Sequence, residues 1–288
     1  VSSRIISGKA PAEEAPAKIA FIYPHAGACH AEAGHDLYQH LPLFRAAVNR
    51  CSKRLAPLLG LSITEMFSKA PAAGSSPYKQ EFITIADFIT GYALSELLRT
   101  WGITPDLVMG RGYGEFMAAT TAGVMTLEDA VKLLLEQEHA RTATDSSSAT
   151  GGVTKGYTTL CESISLHEPQ IDMISTRTGK PATPGELTQP DYWMRHGEFS
   201  LQSDTEVHAL FTGQDLTVIL TIGQEDTDAK TQSFHQSQKN PAHFTLMPRT
   251  ADAKSQIFHC LGMLYTRGAP ISWQTVFGES RNPMPQSL

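Results

Sequence analysis

The sequence has few cysteines, no long hydrophobic run and no excess of basic residues, and each absence excludes a class of protein. Lysine and arginine total 23 against 29 aspartate and glutamate, so the net charge is −6. Proteins that bind phosphate backbones normally carry a basic excess, so we expect no nucleic-acid partner. No apolar run approaches the roughly 18 residues that span a bilayer, and no charged-then-apolar leader opens the chain. The sequence predicts a soluble, cytoplasmic protein without a membrane partner.

The four cysteines, at positions 29, 51, 161 and 260, lie far apart and form no C-x-x-C pair. A chain of 288 residues can bury a sizeable core without disulfides, so we interpret them as reduced thiols. Hydrophobic residues make up 41% and aromatic residues 8% of the chain. This balance is typical of a globular protein rather than a disordered one.

Composition predicts one large domain with an internal loop, preceded by a linker and followed by a tail. Residues 9–17 are rich in Ala, Pro and Glu and the chain opens on valine rather than methionine, so we expect a linker over 1–17 and a chain excised from a longer one. Small polar residues dominate 142–155, which predicts a mobile loop, and 279–288 is predicted to be a C-terminal tail. The domain itself is expected over 18–278.

Hydrophobic periodicity predicts that strands and helices alternate. Short apolar runs bounded by turn residues indicate buried strands, and apolar positions at three- and four-residue spacing indicate amphipathic helices. The predicted strands cover 18–23, 106–109, 171–175, 216–222 and 243–247, and the predicted helices cover 36–54, 83–101, 115–122, 126–140 and 251–267. This alternation favours an α/β fold with a parallel sheet flanked by helices.

A glycine-rich turn, Met109-Gly-Arg-Gly-Tyr-Gly-Glu115, lies between a predicted strand and a predicted helix. This is the placement of a G-x-S-x-G nucleophile elbow, in which a sharp turn presents a serine hydroxyl above a helix N-terminus. The middle position is Gly112, which tolerates positive φ but has no oxygen to attack an acyl group. A phosphate-binding loop is the weaker interpretation, because the turn has neither the G-x-G-x-x-G register nor a P-loop lysine.

Several short motifs lie along the chain on both sides of this turn, namely Phe21-Ile-Tyr-Pro24, Leu97-Leu-Arg-Thr-Trp-Gly102, Gly114-Glu-Phe116, Thr126-Leu-Glu-Asp-Ala130, Ser175-Thr-Arg-Thr-Gly179 and Tyr192-Trp193. Taken together they resemble the acyltransferase domain of modular polyketide and fatty acid synthases, the malonyl-transferase fold that loads acyl carrier proteins. The resemblance implies an α/β-hydrolase-like parallel sheet flanked by helices, as in the acyltransferase large subdomain.

Each position where the resemblance expects a chemically active group carries a different residue. The family's serine falls on Gly112 and the histidine before it on Arg111, which together with Tyr113 form a vestigial elbow. The remaining family positions are the first-loop glutamine, the arginine that binds the malonyl carboxylate and the catalytic base, which fall on Ala26, Gln137 and Thr158. A glutamine cannot form a charged bidentate pair with a carboxylate. The resemblance therefore implies no catalytic residue here and no cofactor.

The chain also departs from the family that it resembles in the length of one interval. Members of the family insert a small ferredoxin-like subdomain between a helix that ends near Arg141 and a strand near Ile171. Each βαβ unit needs about 30 residues, which is the whole of this interval, and nearly half of it is the Ser/Thr/Gly stretch. We expect that the ferredoxin-like subdomain is deleted and that the elbow is open to water.

The alternative to an inactive elbow is a replacement site near the first predicted strand. Cys29 lies close to His25 and His30, and a cysteine beside a histidine is a common activated nucleophile. With His35 and His40 these residues also suggest zinc ligands, but their spacing matches no compact zinc pattern, so we predict no metal. The phenol of Tyr113 titrates near pH 10 and is a poor substitute nucleophile.

The sequence thus predicts a catalytically inactive, acyltransferase-like domain of a polyketide synthase. Its expected role is that of a structural spacer or docking surface, with neighbouring ketosynthase and acyl carrier protein domains of the same or a partner synthase as partners. The alternative is a divergent acyltransferase or hydrolase that uses Cys29 or an activated water. A fold alone does not decide between these functions, so the decision depends on the site.

Overall fold

The computed structural model describes residues 17–24, 31–69, 78–143, 154–196, 211, 215–223, 241–246 and 252–278. The strands are β1 (Ile19–Tyr23), β2 (Leu107–Gly110), β3 (Asp172–Ser175), β4 (Lys180–Pro181), β5 (Val218–Thr221) and β6 (Ala242–Thr245). The helices are α1 (Ala31–His40), α2 (Pro42–Leu59), α3 (Thr64–Ser68), α4 (Gln80–Thr100), α5 (Gly114–Ala122), α6 (Leu127–Ala143), α7 (Lys155–Ser163), α8 (Pro190–Met194), α9 (Ala253–Tyr265) and α10 (Trp273–Gly278).

The described strands form one sheet in the order β4-β3-β2-β1-β5-β6. All neighbouring pairs are parallel except β3 and β4. The expectation of a parallel sheet is therefore corrected to a mixed one at this edge. The reason is local, since β4 follows β3 after a short turn that ends at Gly179 with φ +64°, and so tight a connection reverses the chain. The predicted α/β class with flanking helices is confirmed.

The sheet is buried on both faces, as parallel sheets usually are. Successive residues of β1 point to opposite sides, so that Ile19, Phe21 and Tyr23 join the larger apolar core under the helices. Ala20 and Ile22 join a smaller core on the other face. A strand that is buried on both faces has a continuous apolar sequence rather than an alternating one. The predicted strands at β1 and β2 are confirmed, since every residue in them is buried.

Two predicted segments are corrected. The single helix expected over 36–54 is two helices, α1 and α2, which separate at Leu41 because Pro42 lacks an N–H and its ring crowds the preceding turn. The loop expected over 142–155 is helical at both ends, in α6 and α7, and its middle, 144–153, lies outside the described residues. Among the helices that the structure describes, none is both long and apolar enough to cross a membrane.

Candidate functional site

The glycine-rich turn adopts the strand-turn-helix geometry that its sequence predicts. β2 ends at Gly110, α5 begins at Gly114, and Gly112 between them has φ +48°, in the left-handed region. The turn is closed by the Glu115 N–H, which donates to the Gly112 carbonyl over 2.9 Å. A nucleophile at position 112 would stand at the apex of this elbow, where glycine supplies only hydrogen.

The glycines on either side of the apex are required for steric reasons. A Cβ at Gly110 would collide with the backbone of Gly114 and Glu115, and a Cβ at Gly114 would collide with the carbonyl oxygens of Tyr23 and Pro24. The G-x-G-x-G spacing therefore reflects close backbone packing between β1, β2 and α5, which is one of the situations in which only glycine fits.

Glu115 is a buried carboxylate at the start of α5, with only 1% of its surface exposed. The Thr176 hydroxyl donates to it over 2.8 Å, the Tyr192 hydroxyl donates to it, and Nε2 of His196 lies 3.2 Å from its Oε2. Burial raises the pKa of Tyr192, and the adjacent Glu115 charge raises it further. The carboxylate thereby ties the elbow to the end of β3 and to α8, as buried charges require.

His196, directly beyond α8, is a residue of this site that the sequence did not reveal. Its Nε2 lies 2.9 Å from the Gly112 carbonyl oxygen. Its ring packs 4.4 Å from the Phe116 ring, centroid to centroid, and is almost fully buried. No local pattern marks this position, because Gly112, whose carbonyl it contacts, is 84 positions away along the chain.

Gln137, which the resemblance aligns with the family's arginine, is half-buried on α6. Its Nε2 donates to the Tyr157 hydroxyl over 2.8 Å and lies 3.3 Å from Nδ1 of His196. The Tyr157 hydroxyl in turn donates to the Trp193 carbonyl over 2.9 Å, and burial raises the pKa of Tyr157. Both amide protons of Gln137 are thus directed at protein groups, in the place where the resemblance expects a group for substrate.

The other predicted site residues are only partly brought together. Tyr113 is half-buried against α6, and its pKa is raised by burial and by the neighbouring Glu138 carboxylate. Arg111 is half-buried, and its N–H donates to the Tyr23 carbonyl over 2.9 Å. Thr158 lies in the second turn of α7, where its hydroxyl donates to the Thr154 carbonyl over 3.3 Å. Its assignment to the base position stays a prediction.

The Cys/His cluster is described only in part. Ala26, His25, Cys29 and His30 lie outside the described residues. His35 bonds through Nδ1 to the Phe67 carbonyl over 2.7 Å, and Nδ1 of His40 lies 2.9 Å from the Asp36 carboxylate, so both serve the helices that carry them. Within the described ranges no three His, Cys, Asp or Glu side chains are grouped so as to hold a metal ion.

The cysteines inside the described ranges are buried free thiols. Burial raises the pKa of Cys51 to about 12, of Cys161 to about 11 and of Cys260 to about 12. A thiol that stays protonated at neutral pH is a poor nucleophile. These three cysteines are free thiols, as the sequence predicts.

Fold and site together define an α/β domain built around a nucleophile-elbow turn, with glycine at the apex and a buried imidazole and carboxylate beside it. The acyl transferase domain family matches residues 20–175 of this sequence. The chain belongs to that family, and within it to the acyltransferase-like domains of polyketide synthases.

Its relatives are large synthases. The chain is 31% identical over 187 residues to the spectinabilin polyketide synthase system protein NorC of Streptomyces orinoci, covering 62% of this chain and 7% of that protein. It is 20% identical to the orsellinic acid synthase armB of Armillaria mellea, covering 96% of this chain and 16% of that protein. The chain thus spans less than a fifth of the length of either synthase.

Solved structures share the fold. The acyl transferase domain of ZmaA superposes with a TM-score of 0.78 at 19% identity, covering 95% of this chain and 81% of that one. The acyltransferase domain from the second module of the salinomycin polyketide synthase gives a TM-score of 0.72 at 18% identity, covering 96% and 80%. At these identities the likeness establishes the fold alone.

Proposed function

We propose that this domain is a pseudo-acyltransferase, which transfers no acyl group and serves a polyketide synthase as a structural spacer or docking surface. The observation that carries the proposal is the elbow itself. Its φ of +48° at Gly112 and its close-packed flanking glycines keep the geometry of a nucleophile turn, while the apex has no hydroxyl or thiol. Acyl transfer through an enzyme-bound ester needs that atom.

The surroundings of Gln137 support the same proposal. The amide is enclosed by the buried side chains of Tyr157 and His196, to which its two protons are directed. A carboxylate placed here would meet a neutral amide already engaged with the protein instead of a guanidinium fork. Recognition of a malonyl-type diacid therefore loses its charged partner.

The spacing of α6 and α7 supports the proposed deletion of the ferredoxin-like subdomain. α6 ends at Ala143 and α7 begins at Lys155, and the interval between them is shorter than the roughly 30 residues of one βαβ unit. The superposition on the ZmaA acyl transferase domain leaves about a fifth of that chain uncovered, since it covers 81%. In the proposed arrangement the cleft that would shield an acyl intermediate lacks one wall.

Exposed aromatic residues near the end of the described chain support a docking role. Tyr265 is 50% and Phe277 is 40% exposed, and the Trp273 ring lies between them, at 5.4 Å from the first and 5.6 Å from the second. Exposed aromatic rings held by one another are rigid contact groups of the kind that dominates interfaces. We propose that this aromatic patch (Tyr265, Trp273 and Phe277) contacts a neighbouring ketosynthase or carrier domain.

Intact-mass spectrometry after incubation with malonyl-CoA or acetyl-CoA tests the proposal directly. The purified domain is expected to keep its unmodified mass, while a serine-containing acyltransferase domain treated in parallel gains the acyl group. A stable adduct would refute the pseudo-acyltransferase assignment. Its position, found by peptide mapping, would then distinguish a Cys29 nucleophile from any other residue.

A further inference from the structure

The contacts of His196 join the elbow to the residue that replaces the family's arginine. We infer that His196 and Gln137 form a positioning pair, in which Gln137 fixes the imidazole as the Nε2–H tautomer and the imidazole fixes the carbonyl of the elbow residue, Gly112. This assignment concerns how the elbow is held and does not depend on whether the domain is inactive.

The tautomer follows from the groups around each ring nitrogen. Nε2 of His196 faces two acceptors, the Gly112 carbonyl at 2.9 Å and the Glu115 carboxylate at 3.2 Å. Because the Gly112 carbonyl oxygen can only accept, the nitrogen that faces it at this distance must carry the proton. Nδ1 faces the amide nitrogen of Gln137 at 3.3 Å and is therefore the acceptor.

The Tyr157 hydroxyl fixes the orientation of the Gln137 amide. The Tyr157 hydroxyl uses its proton on the Trp193 carbonyl, 2.9 Å away, so that it must accept from Gln137 rather than donate to it. This places the NH₂ group of Gln137, and not its oxygen, beside Tyr157 and His196. The direction of donation is then continuous from Gln137 through His196 to the elbow.

The pair acts on the elbow because of where the imidazole is held. Phe116 packs against the ring at 4.4 Å, and Trp193 stacks on it at 6.5 Å. The ring nitrogen therefore meets the Gly112 carbonyl at a fixed angle. Because glycine has several backbone conformations open to it, this bond helps to select the one observed, with a φ of +48°. Loss of the Nε2 donor would leave a buried carboxylate and a carbonyl each with one partner fewer.

Nitrogen NMR of the histidine side chains tests the tautomer. In the wild-type domain the Nδ1 of His196 is expected at the chemical shift of an unprotonated ring nitrogen and its Nε2 at that of a protonated one. In Gln137→Glu the introduced carboxylate faces Nδ1, so both nitrogens of His196 should become protonated at the same pH. The exposed His139 on α6 serves as the control, and its signals should stay unchanged. A protonated Nδ1 in the wild type, or no response to Gln137→Glu in a folded variant, would overturn the pair.

Chemical rescue separates positioning from simple packing. His196→Gly is expected to lower the midpoint of thermal unfolding by at least about 4 °C, and added imidazole should restore part of the loss. 1-Methylimidazole fills a similar space but has no N–H to donate, so it should restore little. Equal rescue by the two compounds would show that His196 only fills space, and it would overturn the inference.

A second pair of variants keeps the test decisive if His196→Gly does not fold. The amide nitrogen of glutamine reaches the position of Nε2, whereas that of asparagine reaches the position of Nδ1. His196→Gln should therefore retain the bond to Gly112 and unfold at a temperature closer to the wild type than His196→Asn. The reverse order would show that the Nε2 donor is not the group that holds the elbow.

Discussion

At the residue scale the site depends on Gly112 and on the residues that now surround it. An enzyme can lose a single nucleophile and still keep its base and its charged partners. Here the apex has no side-chain oxygen, and Gln137, which we propose occupies the arginine position, has its amide bonded to Tyr157 and His196. Catalytic groups act as a unit, so their losses do not add.

Restoring the hydroxyl alone is therefore expected to fail. Gly112→Ser should show no more than trace malonyl loading onto a carrier protein, because in the proposed assignment threonine and glutamine occupy the base and arginine positions. Loss of a catalytic base commonly costs about 10⁶-fold. The measurement is the mass of the carrier protein after incubation with malonyl-CoA. Gly112→Ala, which has the same backbone strain without the hydroxyl, is the matched control. Substantial loading by the serine variant would show that a functional base survives.

The flanking glycine offers a prediction about stability. Gly114→Ala should lower the free energy of unfolding by about 3 kcal/mol or more, because its Cβ would collide with the Tyr23 and Pro24 carbonyls, which belong to the rigid end of β1. Gly60→Ala is the control, because no atom lies within 4 Å of the added Cβ and the substitution there meets only the strain of a left-handed φ of +66°. Its cost should be about 1 kcal/mol, that of backbone conformation alone. Equal losses in urea denaturation would contradict the steric account.

A buried tyrosine predicts how the domain responds to alkali. Burial raises the pKa of Tyr23 to about 12, whereas an unfolded phenol ionises near pH 10. The unfolded chain therefore releases its proton first, so stability is complete below pH 10 and is lost as the pH rises toward 12. Tyr23→Phe should flatten this loss in urea midpoints measured across that window. The exposed Tyr265→Phe should not alter it, and an unchanged slope in Tyr23→Phe would contradict the assignment.

At the scale of elements, the parts of the fold that the sequence predicts are those with a strong local signal. The run over 18–23 and the glycine turn before α5 are recognisable because burial and backbone geometry act on adjacent residues. The break at Leu41 was not predicted because apolar spacing continues across it, although Pro42 ends the hydrogen-bond ladder. β4 was not predicted for another reason. It has only two residues, and these form a strand only because they pair with β3.

α7 and His196 illustrate what local patterns leave out. α7 contains one glycine and two threonines, whose helix propensities are low, and it is held by packing of Tyr157 and Cys161. His196 belongs to the site only because α8 approaches the elbow from a distant part of the chain. The candidate site could therefore be located from the sequence, whereas the residues that now hold it could not.

The capping residue of α7 gives a prediction at this scale. The Thr154 side chain accepts from the Tyr157 N–H over 3.1 Å at the start of the helix. Thr154→Ala should destabilise the domain by about 1 kcal/mol, the usual cost of losing such a cap. Thr159→Ala, at an exposed position inside the same helix, should be neutral or slightly stabilising because alanine has the higher helix propensity. Thermal unfolding compares the two, and a larger loss at Thr159 would contradict the role of the cap.

At the scale of the whole molecule, the domain has a well-packed core around an elbow that we propose to be inactive. The apolar positions of β1, β2 and α4 are buried, and the larger core extends under most of the described helices. A core of this extent supplies a stable shape whether or not the elbow reacts. If that shape is the retained property, changes to the surface should matter more than changes at the vestigial elbow.

The aromatic patch provides the most direct test of this expectation. In the full-length synthase, Tyr265→Ser with Phe277→Ser should reduce assembly or product yield, because each ring buried at the centre of a contact contributes about 2 kcal/mol or more. Leu58→Ser, at another exposed hydrophobic position, controls for loss of apolar surface in general, and Arg111→Lys at the vestigial elbow should leave both assembly and product unchanged. Circular dichroism of the isolated variants checks that they fold. If Arg111→Lys abolishes the product while assembly is intact, the elbow still takes part in chemistry. If the patch variants behave like Leu58→Ser, this face is not the contact, because two exposed rings that touch no partner cost little when removed.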